Sequence, residues 1–307
     1  MKLKVRLDFC DLWAGFIKNN NFFYNQLRNR FDIEICDRPD FIIYSDPGQH
    51  IHRIHNCVKI YFCVEDFLPD FREYDYCFSC RHLDDPRHLR LPYYALASPT
   101  DVQKRHDDFQ QIMASKTKFC SFLTSYDNNK TRERVAFFKK LCKYKKVDSA
   151  GRALNNVGFR VPPGQAAKIQ FLQPYKFNIA FESAEIPGYT TEKILEAMQA
   201  RCMPIYWGNR RIDEEFNPKS FLNYYDFASE EALIEKIIEL DQVDAKYAEY
   251  LRQPYFHNDA PNDCFDRGKL LDFFERIFTT QITPVSTKRF RWQIGRWIPV
   301  LKNRPHR

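Results

Sequence analysis

Residues 177–198 read "FNIAFESAEIPGYTTEKILEAM". A run of apolar and aromatic residues ends at Phe181, a turn rich in small residues follows, and Thr-Thr-Glu-Lys opens an apolar helix. Strand, short connection and helix in that order form the repeating unit of an open α/β sheet. Lys193 is the odd residue in it, because the first turn of a helix is the positive end of the macrodipole and favours acids. With Thr190 as the N-cap, Glu192 and Lys193 take the second and third helical positions. An anion held by free N–H groups, the dipole and an ammonium together accounts for the lysine, and a phosphate or diphosphate fits. The competing account is a solvated Lys193 paired with Glu196 or Glu192 along the helix surface.

The same alternation runs outward in both directions. Toward the N-terminus stand "LKVRLDF", the helix-like "NNNFFYNQLRNRF", "DIEIC", "PDFIIYSD", "CVKIYFCVED", "YDYCFSC" and "HLRLPYYA". Two of these are nearly continuous apolar runs ending in acids, the pattern of buried parallel strands whose carboxyl ends meet a ligand crevice. Residues 98–116 are polar without clear periodicity and are expected to be a linker. Beyond them come the strand "KFCSFLTS", the helix "TRERVAFFKKLCKY", the strand "KKVDSAG", a loop over 151–164, and then the opening stretch. The strand "MPIYWG", a short strand "FLNYYDF" and helices "SEEALIEKIIELDQ", "AKYAEYLRQP" and "DRGKLLDFFERIF" close the pattern. Two α/β domains are therefore expected, 1–112 and 117–280, followed by a tail at 281–307. Neither Gly-x-Gly-x-x-Gly nor a Walker loop occurs, which disfavours dinucleotide and P-loop chemistry.

Composition narrows the class. The 307 residues are 44% hydrophobic and 16% aromatic, enough for two cores. The net charge of +7 is local: the last twenty residues, "KRFRWQIGRWIPVLKNRPHR", hold seven Lys or Arg and no acid, so 7 minus 7 leaves the rest formally neutral. A neutral body argues against nucleic acid as the partner, since phosphate-backbone binding needs a basic face on the folded domain. The N-terminus reads as a charged strand, without the apolar segment of a signal peptide, so a cytoplasmic chain with ten reduced cysteines is expected. Cys77 and Cys80 make one C-x-x-C with no second pair at zinc spacing, and His50, His52 and His55 have no carboxylate or cysteine within their cluster, so no metal site is expected.

Four motifs in one order over residues 176–227, "KFNIAFES", "GYTTEK", "MPIYWGN" and "FNPKSF", resemble the donor-binding segment of the α1,3/4-fucosyltransferases, the inverting enzymes of glycosyltransferase family 10. Weaker likeness at "TRERVAFFKKL" and "KIYFCVED" extends the resemblance over most of residues 1–280. It implies the GT-B fold, with two Rossmann-like α/β domains facing a central cleft, the first binding acceptor and the second GDP-fucose. By motif position it implies that Lys193 neutralises the donor phosphates, that Glu192 binds ribose hydroxyls, that Tyr189 lines the same pocket, and that Arg134 is the second phosphate cation, with Arg132 two residues away as the rival. Asn178 is counted with the donor segment, or serves only to hold the strand. Glu182 would stabilise positive charge at the fucose. Glu65, with Asp66 as its neighbour and rival, would be the general base that deprotonates the acceptor. The implied acceptor is an N-acetyllactosamine-type glycan, with transfer to O3 or O4 of its glucosamine left open. No cofactor is required on this reading, since Lys193, Arg134 and the helix N-terminus carry the charge a metal would otherwise stabilise, although Mn²⁺ stimulation is compatible with it.

The tail differs from the bacterial members that carry heptad repeats before a basic end. Phe290, Ile294, Trp297, Ile298 and Leu301 recur at helical spacing among Lys and Arg, with Trp292 beside the stripe and Pro299 kinking it. This predicts an interfacial helix on an anionic membrane surface, peripheral to the cytoplasmic face of a bacterial inner membrane. A basic membrane- or nucleic-acid-binding protein is the non-enzymatic alternative, which the neutral body disfavours.

Overall fold

Nearly continuous apolar runs become strands buried on both faces when helical crossovers cover a parallel sheet, and that is the fate of the runs described above. The computed structural model describes residues 1–45, 50–103, 107–128 and 131–285. The chain divides into two units, Met1–Leu91 with the segment from Asp266 onward, and Pro92–Phe265. The tail residues singled out at 290–301 lie outside the described residues.

In the first unit β1 (Lys4–Cys10), β2 (Asp32–Ile35), β3 (Phe41–Tyr44), β4 (Val58–Phe62), β5 (Tyr76–Ser79) and β6 (His88–Arg90) form one parallel sheet in the order β2-β1-β3-β4-β5-β6. α1 (Phe22–Arg30) is capped by the Asn21 side chain, which accepts from the Tyr24 amide, and it buries Phe23 and Leu27. A closing helix, Arg267–Thr279, packs on the same unit: Phe274 meets Phe23, Phe273 meets Phe78, and Phe278 sits between Phe31 and Phe41. Arg30 also pairs with Asp272 and Glu275 of that helix. The sequence reading assigned the helix to the second domain. Its aromatic face finds its partners more than 180 residues upstream, which adjacency in the chain does not reveal.

The second unit holds α2 (Phe109–Ser115), β7 (Lys118–Phe122), α3 (Arg132–Leu141), β8 (Val147–Ser149), α4 (Gln165–Leu172), β9 (Tyr175–Phe181), α5 (Glu192–Gln199), β10 (Met203–Trp207), β11 (Leu222–Asn223), α6 (Glu230–Gln242) and α7 (Asp244–Arg252). Its parallel sheet runs β11-β10-β9-β7-β8. In each sheet the second strand lies on one side of the first and the third on the other, so the order reverses between β1 and β3 and between β7 and β9. Such switch points are where open α/β sheets bind ligands, outside the carboxyl ends of the strands.

Two expectations change here. The stretch 98–116 is not a bare linker: Asp108 caps α2 by accepting from the Gln110 and Gln111 amides, and Phe109, Ile112 and Met113 pack on the core of the second unit. Arg201 holds the preceding segment with a bidentate bond to Asp107 (2.6 and 2.8 Å) and further bonds to the carbonyls of Asp101 and Gln103. "FLNYYDF" contributes only the two-residue β11 before a 3₁₀ turn, Tyr224–Asp226.

Candidate functional site

β9 ends at Phe181 beside β7, at the switch point of the second sheet, and Glu182 is the first residue beyond it. The Glu182 amide still continues the ladder to Trp207 O at 2.8 Å. Its side chain turns inward and is fully buried. Gly208 makes the space, since a Cβ there would lie 2.6 Å from Glu182 Cγ. A buried carboxylate needs donors, and three converge on it. Thr191 N–H donates to Oε1 at 2.7 Å, Thr191 Oγ1 donates to Oε2 at 2.7 Å, and Lys193 Nζ lies 3.0 Å from Oε2. Lys193 also donates to Thr191 Oγ1 at 2.7 Å.

This arrangement revises the reading of the helix start. Thr191, not Thr190, is the N-cap of α5, and its hydroxyl serves Glu182 rather than the helix, so Glu192 and Lys193 take the first and second helical positions. Thr190 joins a different cluster. Asn209, fully buried after β10, accepts from Gly188 N at 2.8 Å and donates to Thr190 Oγ1 at 3.1 Å and Glu215 Oε1 at 2.7 Å. The loop before α5 is thereby fixed from both sides. Tyr189 is buried in it, its hydroxyl 2.9 Å from Ser183 Oγ.

The Lys193 ammonium makes its ion pair with Glu182, beyond β9, and not with a carboxylate of its own helix. Burial works against its charge, but the carboxylates of Glu182 and Glu192 raise its pKa above the ordinary value. Glu192 and Glu196 are instead bound by Lys168 of α4, at 3.3 Å and 3.1 Å. Burial opposes the Glu192 charge, yet Lys193 and Lys168 hold its pKa down to about 2. Glu196, buried one turn further along, is pushed up to about 7 by burial and by Glu192.

Of the two arginines in the first turn of α3, Arg132 is exposed and Arg134 is buried. Arg134 Nε has no hydrogen-bond partner among the described residues. Burial lowers the Arg134 pKa while Glu182, Tyr189 and Glu192, close enough to bear on its charge, act in the opposite direction. A buried guanidinium with an unused donor, a lysine anchored by a buried carboxylate and the N-terminus of α5 are gathered at the switch point, a set of groups whose chemistry suits an anion.

Other expected site residues fall elsewhere. Asn178 is buried within β9, three residues before its end, and accepts from Ser121 Oγ at 3.0 Å, which fits the strand-holding alternative for this residue. Glu182 was expected beside the sugar, but its carboxylate is enclosed by the α5 start. Glu65 is in the first unit, exposed in the loop beyond the carboxyl end of β4, its carbonyl accepting from Cys63 Sγ at 3.4 Å. Asp66 is half-buried, and its carbonyl accepts from Arg81. Lys168, Thr191 and Asn209 are supports that no sequence pattern singles out as such. Asn209 stands inside a quoted motif, whereas nothing near Lys168 in the sequence marks it. Among the described residues no group of three His, Cys, Asp or Glu side chains is disposed to hold a metal.

Two α/β units, each an open parallel sheet with its own switch point, are the architecture of the GT-B class. Residues 113–258 match the model of the glycosyltransferase family 10 (fucosyltransferase) C-terminal domain, and residues 7–97 that of the alpha-(1,3)-fucosyltransferase FucT N-terminal domain. The chain belongs to glycosyltransferase family 10. An alpha-(1,3)-fucosyltransferase of Helicobacter pylori is 28% identical over 257 residues, covering 71% of this chain and 52% of that protein. This chain thus spans about half the length of that relative. A 3-galactosyl-N-acetylglucosaminide 4-alpha-L-fucosyltransferase of Bos taurus is 34% identical over 143 residues, 46% of this chain and 37% of that one. A crystal structure of an alpha1,3-fucosyltransferase with GDP superposes with a TM-score of 0.75 at 25% identity over 92% of each chain.

Proposed function

We propose that the chain is an inverting α1,3-fucosyltransferase that moves L-fucose from GDP-fucose to the N-acetylglucosamine of a lactosamine-type glycan. The observation that carries this is the anion site, where Lys193 is anchored by Glu182 and Arg134 keeps a buried, unused donor. A nucleoside diphosphate matches two cations and a helix N-terminus, and the relative solved with GDP supports the choice of nucleotide. Glu192, charged at neutral pH, accepts from the ribose diol with its two oxygens, beside Tyr189. Lys193 and Arg134 stabilise the charge that gathers on the diphosphate as the bond from its oxygen to fucose C1 breaks, so no metal is needed to hold the leaving group.

Glu65 takes the proton from the acceptor hydroxyl as that oxygen bonds to C1 from the opposite face, with inversion, and the bonding pair of the old C1–O bond leaves with GDP. An exposed carboxylate beyond the carboxyl end of a central strand is where a crevice base belongs. Transfer to O3 is supported by the Helicobacter relative, an alpha-(1,3)-fucosyltransferase. The bovine relative, a 4-alpha-L-fucosyltransferase, favours an α1,4 or dual specificity as the second reading. The basic tail at 284–307 attaches the protein to an anionic cytoplasmic membrane surface, a reading supported by the sequence alone. The deciding experiment is a transfer assay with GDP-fucose on lactosamine and on its β1,3-linked isomer, with the product linkage assigned by NMR. Transfer to neither acceptor overturns the reading.

A further inference from the structure

The histidine-rich stretch 50–55, which the donor site leaves unused, contains a second built constellation, at the switch point of the first sheet between β1 and β3. Asp11, the first residue beyond β1, adopts a left-handed conformation with φ 51, which a non-glycine residue keeps only where its surroundings enforce it. Its fully buried carboxylate accepts from Ile51 N–H at 3.0 Å, from His52 N–H at 2.8 Å and from His52 Nδ1 at 2.6 Å. Two backbone bonds would suffice to cap the short turn Ile51–Arg53. The third bond orients an imidazole.

That imidazole also stacks on Tyr44, centroids 4.2 Å apart at 19°, so its plane is fixed. Burial works against the Asp11 charge, but the bonds from His52 and Ile51 hold its carboxyl below the usual range. Burial lowers the His52 pKa against the pull of Asp11, leaving a neutral ring at pH 7. Nδ1 therefore carries the proton and Nε2 is a lone-pair acceptor. No described residue hydrogen-bonds Nε2, and the side chain keeps 12% of its surface exposed. On the same two loops Trp13, set edge-on against Phe16, and Ile17, Ile51 and Ile54 expose apolar surface. Exposed apolar and aromatic residues on the loops that also carry an oriented polar group supply the chemistry of a small-ligand site. A pyranose, with C–H faces and hydroxyl edges, is complementary to it.

We propose that Asp11 and His52 form an acceptor subsite, in which His52 Nε2 accepts a hydrogen bond from one hydroxyl of the sugar acceptor and Asp11 positions the ring. This rests on the fucosyl-transfer reading, with the first unit as the acceptor side.

The test compares His52→Asn, whose amide reaches the Nδ1 position and keeps the Asp11 bond while deleting Nε2, with His52→Gln, whose amide reaches the Nε2 position. Acceptor KM is measured with lactosamine and its monodeoxy analogues, alongside donor KM and GDP-fucose hydrolysis without acceptor. His52→Asn is expected to raise acceptor KM about tenfold, the worth of one hydrogen bond. Donor KM and hydrolysis stay unchanged, and His52→Gln retains most of the acceptor affinity. One deoxy analogue should be about tenfold poorer for the wild type yet no poorer for His52→Asn. An unchanged acceptor KM in His52→Asn, or a loss spread equally over every analogue, overturns the subsite. If His52→Asn does not fold, His52→Phe, which preserves the stack on Tyr44, replaces it with the same expected outcomes. A wild-type chain that hydrolyses GDP-fucose but fucosylates no sugar removes the subsite, whereas one that does not bind GDP overturns the donor reading beneath it.

Discussion

Lys193 Nζ lies 3.0 Å from Oε2 of Glu182, a carboxylate with no solvent exposure. The Lys193 side chain keeps about a quarter of its surface exposed, so one partner of the pair is locked in the protein and the other is still accessible. A cation held this way needs no reorganisation when a diphosphate arrives, which is the condition for electrostatic stabilisation of a leaving group. Lys193→Ala should weaken GDP binding by about ten- to a hundredfold, the loss of a charge-assisted hydrogen bond worth about 1.5–3 kcal/mol. Calorimetry with GDP checks this, and unaltered affinity would remove Lys193 from the site.

Glu182→Gln separates positioning from direct action at the sugar. The isosteric amide can still accept from Thr191 N–H but leaves Lys193 without its buried counter-charge, a change costing on the order of 3 kcal/mol. If Glu182 positions Lys193, GDP affinity and melting temperature both fall. A variant that binds GDP normally and loses only kcat would place the carboxylate at the fucose after all.

Arg134→Met should lower donor affinity while leaving the melting temperature equal or higher. Its Nε is buried without a partner, so an apolar side chain of similar length removes a desolvation cost of roughly 1 kcal/mol or more. Arg132→Met, on the exposed face of α3, should change neither quantity. Equal effects from the two substitutions would refute the distinction.

Glu65→Gln should bind GDP as the wild type does and lose transfer by at least about a hundredfold, the ordinary contribution of a positioned base. Asp66→Asn is the control. If it loses transfer and Glu65→Gln does not, the base is the neighbour.

Glu196 should make stability depend on pH. Its folded pKa of about 7 stands above the ordinary 4.5, so the folded state binds the proton more tightly. The stability this contributes is complete below pH 4.5 and is lost as pH rises to 7, by an amount on the order of 3 kcal/mol. Relative to Glu196→Gln, the wild type should therefore lose melting temperature between pH 4.5 and 7. Parallel curves for the two proteins would show that Lys168 satisfies the carboxylate in both states.

What the sequence by itself determined is local. Apolar runs with turn residues between them were enough to find the strands that became β1, β3, β4, β7, β9 and β10, and the family motifs were enough to bring Lys193, Glu192, Tyr189 and Arg134 together as one expected site. Periodicity and motif order are properties of neighbouring residues, so they are legible without the fold. Only the tertiary structure decided that Arg134 and not Arg132 is buried beside Glu182, that Glu182 is enclosed under the α5 N-terminus, and that Asn178 belongs to the sheet. It also decided that the closing helix packs on the first unit and that Asp11 fixes His52, 41 residues away. In each of these cases burial and hydrogen-bond partners are set by strand register and long-range packing, which bring together residues that have no relation along the chain.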